Sequence, residues 1–487
     1  MTRSLLLILL VLLQSCSKVP EKNVWAELAK QDLNEIHDQL RENHPGSVDK
    51  ENPSFNNWLF EGLKKSSEML GKVDSYGAYQ SLIRYYVNGF QDSHLGVRFL
   101  ISADEVAWPG FLVGYHNGKY IVEHIGNQKD YPTSVQRGEE ILSCDGIEME
   151  KLYVHNILPF RGINEVISYH YRLSSLIFLD EDNPFLKLPT ECDVKGKNST
   201  RTITLNWKGV TRSKFEELLW DKILGNEYKF GFHKLGDGGY WISTPRFWAQ
   251  GKELDELNAT INEAKRHSDQ MKVAPYVVFD VRGNTGGSSE YGVQLANALW
   301  GKEYVGQFST ESHAVDFKIS TLNIAHYEKM VEVLKEKFGE QADFTNYFRD
   351  ALTGMKKAHA DGKSLWRKGT TVDVEKSAAR KTTNVKAKVY FLTDSFCNSA
   401  CLDFADIVLP IPGVEHIGLP TSADTAYMEV RGVVLKNRAA RFTIPTKVYR
   451  GKVRANNEAY VPRDIWTGDI TDTGALKKYV QRKSRPH

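Results

Sequence analysis

Apolar residues recur at helical spacing from Asn23 to about Phe90: Leu33, Ile36 and Leu40, then Trp58, Leu59, Leu63, Met69 and Leu70, with Pro45 and Pro53 breaking the run. Three- and four-residue spacing puts such side chains on one helix face, so residues 23–100 read as an N-terminal helical region. Between Ile101 and about Trp207 the pattern changes to short strands, beginning with Trp108-Pro109-Gly110-Phe111-Leu112-Val113 and Lys119-Tyr120-Ile121-Val122. Residues 101–207 are therefore expected to form a β-rich unit. From 208 to about 480 strands and helices alternate. Tyr240-Trp241-Ile242, Tyr276 to Asp280 and Val389 to Thr393 are apolar runs of buried-strand type, and Leu254 to His267 is an amphipathic helix. The class is mixed α/β, with a charged, aromatic-bearing segment at 304–385 expected to be a packed helical insertion.

Two of the buried-strand runs end in residues suited to chemistry. Val389 to Thr393 is followed by Asp394-Ser395-Phe396-Cys397-Asn398-Ser399-Ala400, and then by a new apolar helical pattern. A serine at a strand-to-helix transition can expose its hydroxyl beside the free N–H groups that open the helix, as an acyl-transfer nucleophile requires. Serine is also a common N-cap, so the position alone is ambiguous. Tyr276 to Asp280 runs into Arg282-Gly283-Asn284-Thr285-Gly286-Gly287. Glycines there let backbone N–H groups approach a ligand, and the spacing excludes both common nucleotide-binding loops. Gln91-Asp92-Ser93-His94 offers an imidazole as general base. Asn457-Glu458-Ala459-Tyr460-Val461-Pro462-Arg463-Asp464 supplies late acids.

Together these segments resemble the tail-specific, C-terminal-processing serine peptidases, which share their core with tricorn protease. The resemblance rests on Asp280 to Gly287, Ser399-Ala400, Gly418-Leu419-Pro420-Thr421 and, loosely, Glu458 to Asp464, in the family's order. It implies a crotonase-like catalytic core and an acyl-enzyme mechanism. Most such peptidases carry a lysine shortly after the Gly418–Thr421 element, where this chain has Asp424; Lys436 is the next lysine. The tricorn-like arrangement is then implied: Ser399 as nucleophile, His94 as base, Ser93 and Glu458 as orienting groups. The oxyanion would be met by the N–H of Ala400 and of Gly286 or Gly287. Ser288, Ser289 and Asp464 are rivals with lesser claims.

Val135 to Gly146 resembles the signature of PDZ domains, and Gly110, Phe111 and Leu112 resemble their carboxylate-binding loop. That resemblance implies strand addition of an extended peptide. A degenerate PDZ fold that only supports the core is the alternative.

Composition narrows the partners. A formal net charge of +2 over 487 residues, with both signs interspersed, argues against nucleic acid. No metal-ligand spacing appears and no cofactor is expected. Residues 1–16 read as a lipoprotein signal peptide. Arg3 precedes an apolar stretch from Leu5 to Leu13 that is too short to span a bilayer, and Leu13-Gln14-Ser15-Cys16 resembles a bacterial lipobox with Cys16 as the lipidated residue. A lipid-anchored protein of the bacterial cell envelope is expected, at the outer membrane facing the periplasm. Cys144 and Cys192 are candidates for a disulfide, and Cys397 and Cys401 read as small buried residues. The leading reading is a serine peptidase acting on peptides or unfolded protein tails. The alternatives are a catalytically silent peptide-binding lipoprotein and a structural or scavenging lipoprotein of the same fold.

Overall fold

The computed structural model describes residues 23–101, 105–224, 228–308, 314–369 and 382–485. Helices Val24–Asn43, Pro53–Met69 and Tyr76–Asn88 open this part of the chain. Asn23 caps the first of them, its side chain accepting from the N–H groups of Trp25 and Ala26. The apolar faces close on one another through Leu33, Ile36, Leu40, Leu59, Leu82 and Ile83. They do not close alone: Phe442 and Ile444, from strand Ala440–Arg450, complete the same cluster. That long strand is the spine of an antiparallel sheet. Along one edge it pairs with Val97–Phe99 near its start and Ala314–Lys318 near its end, with Leu365–Gly369 beyond the latter, and Tyr427–Val434 pairs along the other edge.

A second sheet is built from Phe111–His116, Lys119–Ile125, Glu140–Cys144, Glu191–Lys195 and Thr200–Thr204, in that order. The register sets Cys144 opposite Cys192, and a disulfide joins them. Between these two strands run helices Met149–Asn156, Leu158–Arg161 and Ser168–Leu173 and the tight turn Ser174–Phe178.

The third sheet positions the chemistry. Its order is Gly231–Lys234, Tyr240–Ser243, Tyr276–Asp280, Lys388–Thr393 and Val414–Gly418, all parallel beyond the first pair. Such strands are apolar throughout because both faces are covered. Val277 and Phe279 face helices Lys252–Arg266, Ser289–Trp300 and Ala400–Val408, whereas Tyr276 and Val278 face helix Thr473–Ser484. Burying each such side chain contributes about 1.5–3 kcal/mol. Ser243 pairs with Asp280, and Asp280 with Leu392, so the central strands end level and their loops meet at the carboxyl edge.

Segment 304–385 contains two packed helices, Thr321–Phe338 and Asp343–Ala360, around Tyr327, Phe348 and Met355. It also contains the two strands Ala314–Lys318 and Leu365–Gly369, which a helical reading does not foresee. Their charged residues conceal them: Asp316 is buried because Arg367 and Arg450 both bond its carboxylate.

Candidate active site

Ser399 stands between strand Lys388–Thr393 and helix Ala400–Val408 with φ 55° and ψ −123°. A non-glycine residue with positive φ is strained, and such strain persists only where the surroundings over-determine it. Here they do. Asp394 accepts from the N–H groups of Phe396 and Gly283, tying the nucleophile loop to the glycine loop, and Asn398 N–H donates to the Asn284 carbonyl. A disulfide between Cys397 and Cys401 brackets the serine. The expectation of two small buried thiols is corrected: residues four apart across a helix start come close enough to bond. Buried Asp394 has its pKa pushed up to about 6, chiefly by loss of water.

The glycine loop lies against this elbow. Gly286 (φ +104°) could carry no side chain, since a Cβ would stand 2.7 Å from Ser399 Cβ and 3.1 Å from Ala400 N; a Cβ on Gly287 would strike Phe247 at 2.0 Å. Asn284 fixes the turn, its Oδ1 accepting from Gly286 N–H at 2.9 Å and its Nδ2 donating to Thr244 O. That bond commits the Gly286 N–H and leaves Gly287 as the candidate donor of this loop. The Ala400 N–H opens a helix, where first-turn donors have no intrahelical acceptor. Ser289 is engaged elsewhere, its hydroxyl donating to Asp403. The buried Asp280–Arg282 pair below the loop is structural: the guanidinium bonds both carboxylate oxygens and reaches Ile470 O and Thr473.

His94 comes from the other side of the molecule. Thr443 Oγ1 donates to the His94 carbonyl and accepts from Gly96 N–H, fastening the histidine loop to strand Ala440–Arg450. So placed, His94 Nε2 is 3.4 Å from Ser399 Oγ. Such contacts are commonly long in a substrate-free site and tighten on binding. Asp92 Oδ1 accepts from His94 N–H at 2.9 Å in an Asx turn and lies 3.6 Å from His94 Nδ1. Thr425 Oγ1 donates to the same oxygen, and His44 Nε2 is 3.6 Å from Oδ2.

The acid beside the histidine is thus Asp92. Glu458 is exposed, and its carboxylate accepts from Ala455 N–H at 2.8 Å, closing a local turn. Its segment does reach the site, but through Asn457, whose Nδ2 donates to Gln91 O. The role assigned to Glu458 is corrected accordingly. Ser93 Oγ is buried with no hydrogen-bond partner among the described residues. Asp464 is exposed, 3.9 Å from Lys483. In the expected lysine's place, buried Asp424 pairs with Arg454 at 2.7 Å and Lys452 at 3.3 Å.

Electrostatics follow from this packing. Burial works to raise the Asp92 pKa, but the imidazoles of His44 and His94 beside it outweigh this and hold the carboxyl well below its usual range. For His94, burial favours the neutral ring. The bond and charge of Asp92, with Asp424 behind it, reverse this and raise the pKa above that of an ordinary imidazole. His44 is wholly buried, and burial lowers its pKa.

The carboxylate-binding loop reading meets a different obstacle. Gly110 does turn with φ +86°, but its carbonyl accepts from Gly126 N–H. Phe111 and Leu112 are fully buried, the former against Phe178. The turn 174–178 lies along the strand, and the hydroxyls of Ser174 and Ser175 donate to Val113 O. An incoming peptide would find that carbonyl engaged. Cys16 lies outside the described residues. Among the described residues no group of side chains could hold a metal ion, and no helix is long and apolar enough to cross a membrane.

Comparison with known proteins agrees with this geometry. Residues 241–450 match the model of peptidase family S41. Over that span the chain resembles the family S41 peptidases. The match contains Ser399 and the glycine loop but not His94 or Asp92. Among solved structures, mature CPAF superposes on this chain with TM-score 0.60 at 13% identity, over 94% of this chain and 97% of that one. CPAF complexed with lactacystin superposes at 0.59, also with 13% identity, over 94% and 98%. At this identity the likeness is one of fold. No curated protein matches. The family match supports a serine-type peptidase.

Proposed function

We propose that this S41 peptidase cleaves peptides or unfolded protein tails through an acyl-enzyme, with Ser399, His94 and Asp92 as its reacting triad. The observation that carries the reading is the 3.4 Å approach of His94 Nε2 to Ser399 Oγ, between residues 305 positions apart. Ser399 Oγ attacks the scissile carbonyl while His94 takes its proton. The N–H groups of Ala400 and Gly287 receive the oxyanion. His94 then protonates the leaving amine, and water repeats the sequence to free the acid. Asp92 orients the ring and stabilises its positive charge.

His44 extends the array as a positioning residue. Gly46 N–H donates to His44 Nδ1 at 2.9 Å, so that nitrogen bears no proton and the neutral ring carries it on Nε2, toward Asp92 Oδ2. Asp92 is thereby held between two imidazoles.

A fluorophosphonate probe tests the reading. It should label the wild-type chain, fail on Ser399→Ala, and label His94→Ala at least a hundredfold more slowly, with thermal unfolding little changed. Labelling that survives Ser399→Ala would point to another nucleophile; no labelling of the folded wild type would favour the silent, peptide-binding alternative. A lipid anchor at Cys16 in the bacterial envelope belongs to the same proposal, and Cys16→Ser should release the protein from the membrane fraction.

A further inference from the structure

Helix Ser168–Leu173, which precedes the turn covering Val113, reaches toward the catalytic loops. Tyr169 packs with Ala423, next to Asp424. One turn on, the Arg172 guanidinium lies 5.0 Å from the Phe396 ring centroid and 4.9 Å from that of Tyr169. Phe396 is three residues before the nucleophile. The guanidinium reaches Ser422 Oγ at 3.5 Å, in the loop whose Thr425 bonds Asp92, and also the Tyr169 side chain. Arg172 therefore bridges the loop that holds Ser399 and the loop that supports Asp92.

Two aromatic faces, and no acid, meet its charge. Among the described residues no carboxylate pairs with Arg172. Several other buried or half-buried arginines are matched by acids: Arg84, Arg161 and Arg212 converge on Glu181, and Arg454 on Asp406 and Asp424. Buried Arg431 is instead met by the side-chain amides of Asn323 and Gln39. A half-buried guanidinium stacked on aromatic rings keeps its fork of donors rigid, and a carboxylate is the group that fork matches. Trp220, 51% exposed, stacks on the far side of the Phe396 pair at 5.4 Å between centroids and adds an apolar wall.

We propose that Arg172 is a carboxylate-binding residue for the substrate beside the Ser399 loop, supplying the recognition that the engaged edge at Val113 does not offer. The carboxylate belongs either to the free carboxyl end of the substrate or to an acidic side chain near the cut. This rests on the peptidase reading of Ser399.

The experiment starts from β-casein digested with the wild-type chain. One cleaved decapeptide is then remade with a free carboxyl end, with an amidated end, and with its acidic residues changed to amides. Amidation should raise KM about tenfold with kcat held, if the terminus is recognised; loss of the acidic side chains should do so if they are. In Arg172→Met the sensitive form and its neutral partner should be cut alike, and Arg172→Lys should restore part of the difference. Melting temperatures of both variants report folding, and the ratio between two substrates is independent of how much enzyme is folded. Discrimination that persists in Arg172→Met, or a wild type indifferent to both changes, overturns the role of Arg172 alone. A wild type that cuts no casein overturns the peptidase reading as well.

Discussion

Asp92 shows how one carboxylate sets the behaviour of a site. Replacing it by Asn keeps the shape but removes the charge facing His94 and turns one of the two acceptor oxygens into a donor, so the ring's tautomer is no longer fixed. Turnover should fall by about 10³–10⁴, the scale known for triad acids, whereas Glu458→Gln, altering an exposed turn, should change it less than about twofold. Steady-state kinetics on both variants decide which acid acts. The pH profile gives an independent check. His94 must be neutral to accept a proton, and its pKa is raised above 6.5 in the folded protein. The inactive protonated form therefore persists to higher pH, and kcat/KM should fall as pH drops through a midpoint above 6.5. In Asp92→Asn the charge that raises the pKa is gone, so the midpoint should move down. A midpoint unaffected by that change would remove Asp92 from contact with the base.

At the scale of the element, the strand–elbow–helix unit around Ser399 is held by the Asp394 bonds and a short-range disulfide. The two disulfides differ in what they close: Cys397–Cys401 spans a sequence separation of 4, and Cys144–Cys192 one of 48. On chain entropy alone, the first contributes about 2 kcal/mol and the second about 4 kcal/mol. The double serine variant at 144 and 192 should thus lower the melting temperature more. The one at 397 and 401 should cost less stability and more activity, since it loosens the segment carrying the nucleophile. Calorimetry and probe labelling on the two variants test that crossing of effects; equal losses in both would rule it out.

Across the whole molecule, the proposed triad depends on docking the N-terminal helices onto a strand from the far end of the chain. Arg450 fastens that joint: it bonds Asp49 through two nitrogens, at 2.9 and 3.2 Å, and Asp316 of the inserted segment at 2.8 Å. Arg450→Met should leave these buried acids underpaired and cost about 3–5 kcal/mol. Because His94 is attached to the same strand through Thr443, activity should fall in step with stability in a thermal or urea series. Full activity in a destabilised variant would show that the joint does not position the histidine.

Local pattern already contained much of this. The buried strands at 276–280 and 389–393 were legible from unbroken apolar runs, and the N-terminal helices from their spacing. Ser399, His94 and the glycine loop stood out because each ends or follows such an element. Asp92 was in plain view two residues before His94, yet only an Asx turn, a property of the folded backbone, aims both side chains at one place. Strands 314–318 and 365–369 escaped because their charges look solvated until Arg450 arrives from elsewhere in the chain. Sequence alone, then, determined the elements and the chemical types available, since both follow from short-range periodicity and residue identity. The tertiary structure alone decided which acid lies beside the histidine, which glycine N–H the Asn284 side chain engages, and that Arg172 lies between the loops of Phe396 and Ser422. Those are facts of through-space distance between segments up to hundreds of residues apart, and no local pattern encodes them.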